Sequence, residues 1–104
     1  PAISSAQAKA RVLGARARAA QRLRETPWSI NARVSGPWLR QGPLALPAEV
    51  RRPLDAALHR GALTLRGYDR VLRVAWTLCD LEGNDKPTVH DIGRALFMKR
   101  GITA

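Results

Sequence analysis

The stretch that decides the fold is TLRGYDRVLRVAWTLCDLEG, residues 64–83. At 100° per residue, Leu65, Tyr68, Val71, Leu72, Ala75, Trp76, Leu78 and Cys79 fall on one side of a helix. Arg66, Asp69, Arg70, Arg73, Thr77 and Asp80 fall on the other. An apolar stripe that stays in register over the whole segment is the strongest helix signal a single sequence carries. Thr64 stands where its hydroxyl can accept from an otherwise orphaned backbone N–H. Gly83 supplies a left-handed stop at the far end. The helix therefore has a core side and a side carrying three arginines. Asp69 and Arg73, four residues apart, would form a surface pair worth only a few tenths of a kcal/mol. On that reading the arginine side is a solvated face.

Beyond this helix, residues 82–87 form a turn-rich connector, and Thr88 opens a last helix with Asp91 placed for a capping box. Val89, Ile92 and Leu96 make its buried stripe, Gly93 allows close approach of a neighbour, and Arg100 with Gly101 closes it. Before the central helix, residues 47–60 place Val50, Leu54, Ala57 and Leu58 on one face. Pro47 suits a first turn, whereas Pro53 removes a backbone bond, so either the helix kinks there or it starts near Pro53. Gly61 ends it. His59, near that end, reads as a surface histidine.

Residues 26–46 are interrupted by Pro27, Gly36, Pro37, Gly42 and Pro43, which rules out one continuous element. Ser35 can cap a single helical turn through Pro37 to Arg40. Trp28 and Trp38 leave water by folding this loop back over the bundle. Residues 4–24 are rich in alanine and arginine, a long helix capped by Ser4 or Ser5. Its amphipathicity is weak, so it docks on something else. Its stripe of Arg11, Arg18 and Arg22 makes these residues candidates for contact with DNA or a neighbouring subunit. No alternating strand pattern occurs. The expected fold is all-α: a small helical bundle of about four main helices in one domain, 1–104. Within it, 1–25 is a basic N-terminal helix, 26–46 an irregular loop and 47–100 the bundle core.

Composition narrows function without choosing it. The 104 residues carry 18 basic and 8 acidic side chains, a formal net charge of +10, which favours polyanionic partners or an acidic protein surface. Fifteen of the 18 basic residues are arginine, which fits phosphate chemistry and equally a GC-rich codon bias. No apolar run reaches spanning length, no leader pattern precedes a cleavage site, and one cysteine forms no internal disulfide, so a cytoplasmic setting is expected. Cys79, on the apolar face, reads as a buried small hydrophobe. The first residue is proline, consistent with a processed product or a piece of a longer chain. No GxxxxGK[ST] loop, no acid/base pair, no nucleophile beside a histidine and no metal-ligand spacing around His90 is present. No catalysis is expected from this chain alone.

Thr64, Arg66, Gly67, Tyr68, Arg70, Val71, Leu72, Arg73, Val74, Ala75, Thr77, Asp80, Leu81 and Gly83 form a pattern. It resembles the C-terminal region of magnesium-chelatase-related AAA+ ATPases, nearest the ComM/YifB type. TVHDIGRAL, residues 88–96, is similar to that family's final helix. The resemblance implies the helical lid of a longer ATPase whose phosphate-binding loop lies in an upstream core. It implies ATP and Mg2+ held mainly by that core, a homo-hexamer, DNA as a partner and no membrane. It casts Arg66 as a sensor-2 arginine, with Arg70 and Arg73 supporting nucleotide sensing or meeting a neighbouring subunit. A guanidinium suits that role because it is always charged and gives directed hydrogen bonds to phosphate. Trp76 departs from the family pattern, which has arginine there, so packing is its expected job. The motor's output would be DNA remodelling in branch migration or recombination. The alternatives are the lid of a metal-insertion chelatase motor, a free-standing basic helical DNA-binding module and an interaction bundle whose charge serves solubility.

Overall fold

A computed structural model describes residues 4–103, with side chains through residue 99. Positions 1–3 and 104 of the expected domain therefore lie outside the described residues. The elements are α1 (Ser5–Arg22), a 3-10 turn (Asn31–Arg33), α2 (Gly36–Gln41), α3 (Ala48–His59), α4 (Leu65–Glu82) and α5 (Val89–Thr103). Four long helices and one short one, with no strand among the described residues, make the all-α bundle the sequence predicts.

The central helix is α4, which packs against α5, α1, the 3-10 turn, α2 and α3, while α3 also packs on α5. Its start and stop follow the sequence. The Thr64 hydroxyl accepts from the Gly67 N–H at 3.0 Å. Gly83 has φ of 77°. The Gly83 and Asn84 amides donate back to the Asp80 and Cys79 carbonyls, which satisfies the helix's last acceptors. The same closure ends α3, where Gly61 has φ of 79° and Ala62 donates to the Ala57 carbonyl. At α1, Ser4 is the cap and shares a reciprocal capping box with Gln7. At α5, the Asp91 carboxylate accepts from the Thr88 N–H at 2.9 Å, while Asp91 donates its own N–H to the Thr88 hydroxyl.

Several expectations give way. Pro53 does not start α3: the helix runs from Ala48, with Pro47 as N-cap and Pro53 inside it. The Arg100–Gly101 pair does not close α5, which continues to Thr103. Gly61 and Gly83, the described glycines with positive φ, turn the chain left-handed where α3 and α4 end. Val89 is not buried but about half exposed, and Ala95 joins Ile92 in the core instead. Ser35 takes the cap position of α2 without a side-chain cap bond.

The core gathers Leu23, Val34, Leu39, Leu44, Leu46, Leu54, Tyr68, Val71, Leu72, Ala75, Trp76, Leu78, Ile92 and Ala95. Six of these come from α4, which explains why its apolar stripe is so legible. The loop contributes as expected: Trp28 and Trp38 meet edge to face, with ring centroids 5.8 Å apart, and pack against this cluster. α1 docks through Ala15, Ala19 and the Leu23 that follows it. Two alanines bury too little apolar surface to hold an 18-residue helix. Polar contacts supply the rest.

Candidate functional site

The polar side of α4 is only in part a solvated face: Arg66, Arg70 and Thr77 are exposed. Asp69 and Asp80 are buried along with the apolar stripe, so α4 is enclosed on more than one side. Asp69 does not pair with Arg73, as the i, i+4 spacing suggested. It accepts from Arg40 of α2, Nε to Oδ1 at 2.8 Å. Arg73 instead donates to the Val34 carbonyl at 3.0 Å. Gly36 is needed at this contact, because a Cβ there would stand 2.2 Å from an Asp69 carboxylate oxygen.

At the C-terminal half of α4, Asp80 is the hub of a buried network that holds α1 and the 3-10 turn. Both its oxygens accept from Arg22, each at 2.6 Å, in a forked pair. The Asn31 side chain bridges the same groups, accepting from Arg22 at 2.8 Å and donating to Asp80 at 2.9 Å. Asn31 also donates to the Thr77 hydroxyl. Arg18 donates to the Asp80 backbone carbonyl. The Arg22 guanidinium lies 4.3 Å from the centre of the Trp76 ring, an attraction between cation and π face. Trp76 is 3 % exposed, in the packing role expected of it. Its Nε1 and the Arg22 Nε are buried without a hydrogen-bond partner.

The N-terminal half contrasts with this. Arg66 stands in the first turn of α4 and Arg70 one turn on, both exposed and neither with a hydrogen bond or ion pair to any described residue. The helix beneath them is anchored. The Tyr68 hydroxyl donates to Asp55 of α3 at 2.5 Å. Burial pushes the Tyr68 phenol up to about 12, and the neighbouring Asp55 carboxylate adds to the shift. The Lys99 stem from α5 passes close over Gly67, where a Cβ would stand 2.9 Å from it. Two free guanidiniums one turn apart, at the positive end of a helix dipole, form an arrangement suited to a phosphate group.

The structure therefore separates the arginines singled out by sequence. Arg66 and Arg70 project outward together; Arg73 is tied to the backbone near α2. Of the α1 stripe, Arg18 and Arg22 are engaged inside the fold, and Arg11 is exposed. Sequence reasoning missed the Asp80 and Asp69 networks. Asp80 was part of the family pattern, but its partners Arg22 and Asn31 lie 58 and 49 residues away.

Catalytic chemistry finds little material here. Cys79 is fully buried, and burial, aided by the Asp80 charge, pushes its thiol up to about 11. Its sulfur donates to the Asn84 carbonyl. No group of three or more His, Cys, Asp or Glu among the described residues could hold a metal ion. No helix among the described residues is long and apolar enough to cross a membrane.

Comparison with known proteins places this arrangement. No solved structure matches the chain. Uncharacterized proteins of Mycobacterium bovis and Mycobacterium tuberculosis are 43 % identical to it over 97 residues, 93 % of this chain. The chain spans only 19 % of the length of those relatives. The family model described as magnesium chelatase, subunit ChlI C-terminal, matches residues 2–99. The chain belongs to the family of magnesium chelatase ChlI C-terminal domains.

Proposed function

We propose that this domain is the lid of a longer AAA+ ATPase of the ComM/YifB type, and that Arg66 reaches the terminal phosphate of ATP. The observation that carries the reading is the contrast along α4: Arg73 is held by the Val34 carbonyl, while Arg66 and Arg70, on the first two turns of the same anchored helix, are exposed and have no partner among the described residues. An anchored helix presents the guanidinium from a fixed backbone, so that only the side chain's own rotamers need ordering when phosphate binds. Arg66 would hold the terminal phosphate and Arg70 a second phosphate oxygen or a neighbouring subunit. Arg73 would act through them, by fixing α4 against Val34.

ATP and Mg2+ would be held chiefly by an upstream core in a cytoplasmic homo-hexamer. Magnesium-bound ATP supplies the phosphoryl group to be transferred; the domain supplies positive charge and orientation. As the output we favour DNA remodelling, supported by the ComM/YifB-like pattern of residues 64–83 and by the net charge of +10. A free-standing helix-turn-helix reading is disfavoured. The outer face of α5 is led by the exposed Val89, Phe97 and Met98, which cannot hydrogen-bond base edges, and the Arg94 beside them is already paired with Glu82.

The test is ATP turnover of the full-length protein, wild type beside Arg66→Ala, with and without branched DNA. Turnover should fall about a hundredfold or more, and branched DNA should stimulate the wild type. Unchanged turnover would refute the phosphate contact. Stimulation absent with every DNA tested would refute the remodelling output.

A further inference from the structure

We propose that the outer face of α5, built by Val89, Gly93, Phe97 and Met98, is where this domain seats on the ATPase core of its own protein. The proposal rests on the lid reading above, and it names the surface through which lid and core meet. Phe97 is 75 % exposed, the most exposed large apolar side chain among the described residues. Val89 and Met98, at 52 % and 46 %, flank it on the same helix. These side chains, with His90, Gly93 and Arg94, line a surface depression of about 610 Å3. Apolar groups clustered in this way, unlike scattered ones, mark interaction sites.

Gly93 is the second observation. It lies four residues from both Val89 and Phe97, inside a helix, where glycine is among the poorest formers. The sequence suggested that it admits a close neighbour, but among the described residues nothing beyond the adjacent backbone of its own helix comes within 4 Å of a Cβ built there. The glycine thus leaves a notch between two exposed apolar side chains that the domain itself does not fill. A helix or loop from outside can place its backbone or an apolar side chain in that notch.

What fills it follows from size and charge. The relatives are about five times longer than the region they share with this chain, so most of such a protein lies outside the helical domain. A second copy of the domain would bring together two bodies of net charge +10. An apolar surface on the core matches the Phe97 cluster, whose bordering Arg94 is already paired with Glu82. The opposite flank of α5, with Ile92 and Ala95, is already buried against the bundle. Seating the outer flank would leave α5 as the layer between core and lid.

The experiment uses the full-length protein with Phe97 replaced by the photo-crosslinker p-benzoylphenylalanine, followed by mass spectrometry of the adducts. The expected adducts join position 97 to peptides of the ATPase core. Adducts joining α5 to α5 of another copy, adducts to nucleic acid, or no adduct would each overturn the proposal. A second variant, Gly93→Leu, fills the notch without touching the domain's interior. It should lower the crosslink yield severalfold while circular dichroism stays that of the wild type; an unchanged yield would contradict the notch. Arg66→Ala separates the two readings. If it leaves turnover normal while the crosslink to the core persists, the phosphate contact fails and the docking surface stands.

Discussion

The two halves of α4 use the same residue types for opposite ends. Around Asp80, charged side chains are drawn inward: Arg22 and Asn31 surround the carboxylate and Trp76 backs the guanidinium, so that α1 is held by polar contacts where its alanines bury little. Around Arg66, toward the other end of the helix, the Arg66 and Arg70 guanidiniums have no partner among the described residues. A charged residue on a helix wheel thus says nothing of its task until its neighbours are known. Buried and forked, it decides architecture; left open on an anchored turn, it is free for a ligand.

Substitutions test that division by where they act. Asp80→Ala should have the largest effect on stability. It leaves Arg22 buried without its counter-charge, a loss of about 3–5 kcal/mol. Thermal melting should fall by roughly 15 °C or more for a domain of this size. A shift below a few degrees would mean that α1 docks by other means. Gly36→Ala should come next. Its Cβ would collide with the Asp69 carboxylate and part it from Arg40, costing about 1–3 kcal/mol, measured as a lower midpoint in urea. An unchanged midpoint would show that the Asp69 contact is loose.

The alkaline limb of stability is a subtler probe of the buried side of α4 at both its ends. Cys79 and Tyr68 have folded values of about 11 and 12 against ordinary values of 9.0 and 10.0. The folded state therefore holds these protons more tightly than the unfolded chain. Stability from this source is complete below pH 9, then is lost as pH rises toward 11 for Cys79 and 12 for Tyr68. Melting temperature should be flat through neutral pH and fall above pH 9, and Cys79→Ala should delay the first part of the fall. An identical profile in the variant would remove Cys79 from the account. The smallest effect belongs to Arg94→Ala, which breaks an exposed pair with Glu82 and should cost no more than about 1 kcal/mol. A larger loss would mean that exposure is a poor guide to function in this bundle.

Much of the framework was legible in sequence because it is local. Thr64 and Gly83 bound α4 through bonds within one turn, Thr88 and Asp91 form their box three residues apart, and the apolar stripe of α4 from Tyr68 on reads as core, although Leu65 at its start is exposed. The illegible part depends on partners far along the chain. The Arg40–Asp69 pair spans 29 residues and the Arg22–Asp80 pair 58, so a wheel sorts both aspartates to the wet side although the fold buries them. Val89 misled in the other direction. Apolar and in phase with Ile92, it nevertheless faces outward, because α5 has a second apolar flank that no element among the described residues covers. The pattern of residues 64–83 carried the family; it could not separate the engaged Arg73 from the open Arg66 and Arg70.

The most direct test of this division of labour sets two variants of the full-length protein side by side, Arg66→Ala and Asp80→Ala, each measured for melting temperature of the helical domain and for ATP turnover. The account predicts that Arg66→Ala melts within about 0.5 kcal/mol of the wild type yet loses turnover, whereas Asp80→Ala loses melting temperature first. If Arg66→Ala instead keeps full turnover, or loses stability as Asp80→Ala does, then Arg66 is part of the architecture and the two ends of α4 are not different in kind.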